Sequence, residues 1–184
     1  ADARAIIAKY QLDVPANVTA ALADPRNESP KPGDRIFGGN QFTLAARPAD
    51  SLIAAEAAAR RAGYAFVSLG DRVEGEAREV AAAHAKLARE LRAQRKRAVI
   101  LSGGELTVTI RGKGRGGPNQ EYALALAIAL SGMPAVAGLA ADTDGTDGGT
   151  GAATDPAGAL VDGGTVARAK ALGLDPAAFL ADNN

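Results

Sequence analysis

Two glycine-containing stretches hold the residues whose types and spacing suit chemistry. The first is Ser102-Gly103-Gly104-Glu105, and the second runs Gly112-Lys113-Gly114-Arg115-Gly116-Gly117-Pro118-Asn119-Gln120-Glu121. Glycines let a backbone turn through φ > 0 and bring successive N–H groups close to a ligand, which makes anion-binding concavities. Lys113 and Arg115 add positive charge where those N–H groups point. An anion, phosphate above all, suits the combination. Asn119 is placed to cap a following helix, leaving the amides of Gln120 and Glu121 at the positive end of its dipole. A solvated glycine hairpin is the plainer reading. Glu105, just before a strand, is placed either to hold Lys113 or Arg115 or to accept a substrate hydroxyl; a simple four-residue turn competes with both roles.

Gly112, Gly114 and Gly117 also spell G-x-G-x-x-G, which invites a dinucleotide-binding reading. Three features oppose it. The preceding run, Leu106-Thr-Val-Thr-Ile110, alternates threonine with apolar residues. It also follows 98–101 so closely that an antiparallel hairpin is expected, not a parallel βαβ unit. Lastly, the loop carries cations where backbone alone normally meets a pyrophosphate. No P-loop can be aligned.

A third cluster, Asp142-Thr-Asp144-Gly-Thr-Asp147-Gly148, follows an apolar run, the place where α/β sheets put ligands. It is not a calcium loop, since Asp147 stands where glycine is required and no glutamate closes it. Asp142, Asp144 and Asp147 suit Mg²⁺ held together with a nucleotide, and serve equally as turn formers or helix caps.

Composition narrows what else is open. The chain has 184 residues, with 21 basic and 21 acidic side chains and a formal net charge of zero. That balance opposes a dedicated nucleic-acid or membrane-surface binder. Without cysteine there are no disulfides or thiolate metal sites, and the one histidine, His84, leaves little for zinc or a histidine-based triad. His84 is expected on a helix surface. No run approaches the ~18 apolar residues of a membrane span and no signal-peptide layout is present, so a cytoplasmic location is expected.

The elements that must position these residues follow from periodicity. Helices are expected at 3–10 and 15–23, then a Pro/Gly-rich linker at 24–34 and a short strand at 35–37. Beyond it helices at 48–62, 74–93, 119–131 and 164–172 alternate with strands at 64–69, 98–101, 106–110, about 135–141 and 159–161, and a final turn lies near 176–182. This predicts an α/β fold: a layered αβα domain whose mixed sheet combines parallel strands with an antiparallel hairpin. Helix 119–131 is apolar nearly all round and is expected to be central and buried. Alanine dominates the apolar residues, so closely approaching helices should form much of the core.

"SGGELTVTIRGKGRGGPNQEYALALA", "DTDGTDGGTGAATDPAGALVDGGT" and "LGLDPAAFLADNN", with the upstream "GYAFVSLGDRVEGEAREVA", resemble the MOFRL domain of the glycerate 2-kinase family. Members of that family are often labelled hydroxypyruvate reductases. The resemblance implies transfer of the ATP γ-phosphoryl group to the 2-hydroxyl of D-glycerate, with Mg²⁺, in a cleft between two α/β domains. It further implies that residues 1–33 are the helical tail and linker of a missing N-terminal Rossmann-like domain. Residues 34–184 would then be a MOFRL-like domain lacking its last strands, inactive alone and dependent on the remainder of the same protein as partner. Homo-oligomerisation stays open.

On this resemblance Lys113, Arg115 and Glu105 are the catalytic candidates. Ser102, Gly103, Gly104, Gly112, Gly114, Gly116, Gly117, Asn119, Gln120 and Glu121 bind phosphate or substrate, and Asp142, Asp144 and Asp147 hold Mg²⁺. One departure matters: many members carry arginine before Asn-Gln-Glu, and this chain has Pro118. An NAD(P)H-dependent hydroxypyruvate reductase and a non-catalytic partner-binding domain are the alternatives.

Overall fold

The computed structural model describes residues 2–183, which divide between Ala45 and Ala46 into two units. The N-terminal unit holds helices α1 (Asp2–Tyr10) and α2 (Ala16–Ala23), with Pro15 at the N-cap of α2. Two 3-10 turns follow, at Pro25–Asn27 and Arg35–Phe37. The strand expected at 35–37 is therefore absent. The Phe37 and Gly38 amides bond back to the Asp34 and Arg35 carbonyls at 3.1 and 2.9 Å, closing a local turn in place of a ladder.

The second unit is mixed α/β. Its elements are α3 (Pro48–Arg61), β1 (Ala65–Ser68), β2 (Val73–Glu76), α4 (Ala77–Ala93), β3 (Ala98–Leu101), β4 (Gly104–Thr107), α5 (Pro118–Ala129), β5 (Ala137–Ala141), β6 (Gly158–Asp162), α6 (Thr165–Ala171) and α7 (Pro176–Ala181). Helix α4 starts later than its periodicity predicts because Gly75 adopts φ 132°, a value outside the helical region. The residues before Ala77 form β2 instead.

The expected hairpin between β3 and β4 does not form. β1 pairs with β3 and β2 with β4, both in parallel, in the registers Ala65↔Ala98 and Val73↔Gly104. Each strand's neighbour lies on the far side of α4, so this helix supplies the crossover that a four-residue link cannot. Between the two pairs, Leu69–Arg72 opposes Ser102 and Gly103, and the Gly103 amide bonds to the Gly70 carbonyl at 2.8 Å. Ser102-Gly103 is thus a kink in a continuing parallel pair. The antiparallel pairing lies at β5–β6, with Leu139 opposite Leu160.

Helix α5 is central, as its sequence predicts. Ala81 and Ala85 of α4 pack with Ala123, Ala125, Leu126, Ala127 and Leu130 of the α5 segment and Val161 of β6. Small side chains let the two helices approach closely, and the interior is correspondingly alanine-rich. Gly138 of β5 sits so near α5 that a Cβ there would lie 2.5 Å from Leu126 Cδ2. His84 is not a surface residue: half-buried, it shares a 2.9 Å hydrogen bond with the Tyr122 hydroxyl and meets that ring edge-on. Among the described residues no helix is long and apolar enough to cross a membrane.

Candidate functional site

The sequence places its chemistry around the start of α5, and three segments converge there: loop 111–117, loop 142–149 and the turn after α7. Gly117 is the N-cap of α5 and has no side chain to offer as a cap. Pro118 follows as a first-turn residue, whose fixed φ suits the position and whose missing N–H is not needed there. That accounts for proline locally. Asn119 is consequently inside the helix and is not its cap.

The cap comes from Asp147. Its carboxylate oxygens accept the Asn119 amide at 2.9 Å and the Gln120 amide at 2.8 Å. The Asn119 and Gln120 side-chain amides add bonds at 3.1 and 3.2 Å, and Gln120 Nε2 also reaches the Asp147 carbonyl at 2.6 Å. Asp147 is 1% exposed. A buried carboxylate on unsatisfied helix amides is well matched to the dipole. The anion expected at this helix end is therefore the protein's own.

Two corrections follow. The Gln120 amide is not available to a ligand, and the Glu121 amide bonds to the Gly117 carbonyl at 2.9 Å. Nor can Asp147 join Asp142 and Asp144 as a metal ligand, because both its oxygens face α5. Among the described residues no group of three or more His, Cys, Asp or Glu side chains is arranged to hold a metal. Asp142 and Asp144 remain together beyond β5. The pKa of Asp142 is raised from its ordinary value, chiefly because its protonated carboxyl donates a hydrogen bond to Asp144, with some burial and the neighbouring negative charge adding to the shift.

Loop 111–117 is held by bonds from five of its amides. Asn183 Oδ1 accepts the amides of Arg111 and Gly112 at 2.6 and 2.9 Å. Asp182 accepts the Lys113 amide on its carboxylate at 2.9 Å and the Gly114 amide on its carbonyl at 2.8 Å. The Gly116 amide bonds to the Asn183 carbonyl at 3.1 Å. These N–H groups point at the chain's own C-terminal turn and not at a ligand. The glycines serve close approach and not positive φ: a Cβ on Gly112, Gly114 or Gly117 would lie 2.3–2.6 Å from atoms of Asp182, Asn183 or Asp147. The G-x-G-x-x-G spacing is explained by packing.

What the loop leaves outward is its cations. Lys113 and Arg115 are exposed, and among the described residues neither forms an ion pair. The aspartate loop lies alongside: Gly149 donates to the Arg115 carbonyl at 3.0 Å, and Gly116 and Gly148 form an isolated antiparallel bridge. The structure thus joins Arg115, Gly116, Gly117, Asn119, Gln120 and Asp147. Glu105 stands apart, exposed on β4 opposite Glu74, with no ion pair to Lys113 or Arg115 among the described residues. Ser102, Gly103 and Gly104 lie in the parallel-strand kink.

Glu121 has a different setting from the one expected. It is 2% exposed and receives Arg78 Nε and Nη2 on one oxygen at 2.9 and 2.7 Å. Asn183 Nδ2 reaches its other oxygen at 2.8 Å. Glu121 therefore ties α4, α5 and the C-terminal turn together. Arg78, Asp182 and Asn183 were not among the sequence candidates. Their signal was faint: an arginine on a charged helix face, and a terminal Asp-Asn-Asn.

Residues 98–184 match the MOFRL family. A protein named "Putative hydroxypyruvate reductase" from Agrobacterium vitis is 44% identical over 186 residues, covering 98% of this chain and 41% of its own length. The D-glycerate 2-kinase of Thermotoga maritima is 34% identical, covering all of this chain and 42% of the relative. The crystal structure of glycerate kinase from the same organism superposes with a TM-score of 0.74 over 100% of this chain and 42% of its own. The chain spans less than half the length of these relatives.

Proposed function

Because residues 98–184 belong to the MOFRL family, we propose that the chain is part of a glycerate 2-kinase. It would supply one wall of a site that transfers the ATP γ-phosphoryl group to the 2-hydroxyl of D-glycerate. The remainder of the same protein would supply the other wall, and a cytoplasmic setting belongs to the same proposal. The observation that carries the reading is the exposed Lys113 and Arg115, without an ion pair among the described residues, on a loop whose Arg111, Gly112, Lys113, Gly114 and Gly116 amides are already engaged.

Phosphoryl transfer asks a protein mainly to position reactants and to neutralise charge spreading over the transferring group. Lys113 and Arg115 would do this as side-chain charges, Arg115 by its bidentate fork and Lys113 as a compact point charge. The Asp182–Asn183 contacts and the bond from Gly149 fix the backbone beneath them, so little reorganisation is needed when substrate arrives. Asp142 and Asp144 have the oxygen chemistry to hold Mg²⁺, which usually takes one or two carboxylates together with substrate phosphates. The ion would supply charge neutralisation on the nucleotide. Asp147 has no part in holding it.

The same geometry opposes the reductase alternative. A dinucleotide pyrophosphate would have to displace a buried carboxylate from the first turn of α5, against like charge. The test is a coupled assay of the full-length protein. D-glycerate- and Mg²⁺-dependent ADP formation is expected, with Arg115→Ala lowering turnover severely while the fold stays intact. NAD(P)H oxidation with hydroxypyruvate, or unchanged turnover in Arg115→Ala, would overturn the assignment.

A further inference from the structure

The turn after α7 does more than end a helix. Asp182 closes α7, and Asn183 follows in the left-handed region at φ 59°, a conformation asparagine tolerates better than most residues. That conformation turns the Asn183 side chain inward, where it is 3% exposed. Its oxygen accepts from Arg111 and Gly112. Its Nδ2 donates to the Thr109 carbonyl at 3.2 Å and to Glu121 at 2.8 Å. Arg78 completes the linkage by holding Glu121 and donating to the Leu180 carbonyl at 3.2 Å, within α7 itself. The loop is thus secured at Thr109, Arg111, Gly112, Lys113, Gly114 and Gly116, all on one side, by two consecutive residues and their backbone.

We propose that Asp182 and Asn183 are positioning residues: they set the course of loop 109–116 and so aim the Lys113 and Arg115 side chains, while Arg78 and Glu121 keep Asn183 in register. In this role neither residue needs to contact the reacting groups. This rests on the kinase reading of Lys113 and Arg115, and the controls below separate the two. Displacing a catalytic group by about 1 Å can cost on the order of 100-fold in rate. The loss should fall on kcat, since the cations meet charge that develops in the transition state.

The experiment uses the full-length protein and Asn183→Gly, because glycine accepts φ 59° and the substitution removes only the side chain. Expected is a fall in kcat of about 100-fold with KM values changed less than about threefold. Hydrogen exchange should show loss of protection at residues 109–116 and retained protection in the middle of α4 and α5. Asp182→Ala, which keeps the backbone acceptor for Gly114, should be milder, and Asp182→Asn should restore nearly full turnover through the same side-chain oxygen. If Arg115→Ala abolishes turnover while Asn183→Gly and Asp182→Ala leave kcat unchanged, the positioning role is wrong and the kinase reading stands. If Arg115→Ala itself leaves turnover unchanged, the kinase reading is wrong. If Asn183→Gly unfolds the protein, a normal kcat in folded Asp182→Ala overturns the proposal.

Discussion

Removing the Asp147 carboxylate should unfasten the first turn of α5 without touching the chemistry of the site directly. In Asp147→Ala the Asn119 and Gln120 amides lose their acceptors at 2.9 and 2.8 Å in a setting where Asp147 is 1% exposed. A buried donor left without a partner costs about 1–3 kcal/mol, so two together set a scale of about 2–6 kcal/mol. Water entering the vacated space should recover part of this, and loss of an N-cap typically costs about 1 kcal/mol. A net local loss of about 3 kcal/mol is expected, equivalent to an opening equilibrium constant about 100-fold larger at 1.4 kcal/mol per factor of ten.

Native-state hydrogen exchange reads this where it occurs, because local openings have their own free energies. The amides of Asn119 and Gln120 should lose about two decades of protection in Asp147→Ala, and less in Asp147→Asn, which keeps one acceptor oxygen. The Mg²⁺ concentration for half-maximal activity should not move in either variant. Wild-type protection at both amides would refute the cap, and a large rise in the Mg²⁺ requirement with protection intact would return Asp147 to the metal.

Glu121→Gln removes the charge from the buried pair with Arg78. With Glu121 side chain 1% and Arg78 side chain 21% exposed, part of the arginine's charge is still solvated, and a cost of about 2–4 kcal/mol is expected, below the fully buried range. Chemical denaturation of the α4–α5 region would measure it, and a variant as stable as wild type would contradict the assigned role. His84 gives a pH dependence. Burial lowers its pKa below the ordinary value of 6.5, so the unfolded chain binds more protons than the folded one as pH falls below that value. Stability should therefore decline on acidification from 6.5 until the lower folded pKa is passed. His84→Gln should remove that component of the difference between melting at pH 7.5 and at pH 5.5. An unchanged difference would show that the ring titrates freely.

The periodic parts of the chain were legible in the sequence. Helix α5 is apolar nearly all round and is central; 98–101 is an unbroken apolar run and is a strand; the alanines of α4 and α5 pack the core. The failures share one cause, that local pattern does not name distant partners. Leu101 and Glu105 are close in sequence and suggest a hairpin, yet their partners are Ser68 and Glu74, supplied across α4. Residues 74–76 read as the start of the charged helix pattern, and only Gly75 marks where that pattern stops. Arg78 looks like one more charge on a solvated face until Glu121 is brought to it from 43 positions away.

The site was misread for a related physical reason. Glycine runs and helix N-termini advertise unsatisfied N–H groups, and sequence alone cannot say whether a ligand or the chain itself will satisfy them. Here the chain does so twice, with Asp147 on α5 and with Asp182 and Asn183 on loop 111–116. Both satisfiers are acidic or amide residues that had looked like ligand-binding residues in their own right or like an ordinary chain end. The spacing of Gly112, Gly114 and Gly117 then follows from close approach, since a Cβ at any of them would overlap these same residues. The amides of Arg111, Gly112, Lys113, Gly114 and Gly116, with those of Asn119 and Gln120, are thus already engaged within the chain. On the proposed kinase reading, electrostatic recognition would then fall to Lys113 and Arg115, and the glycine loop would act by fixing where those two charges stand.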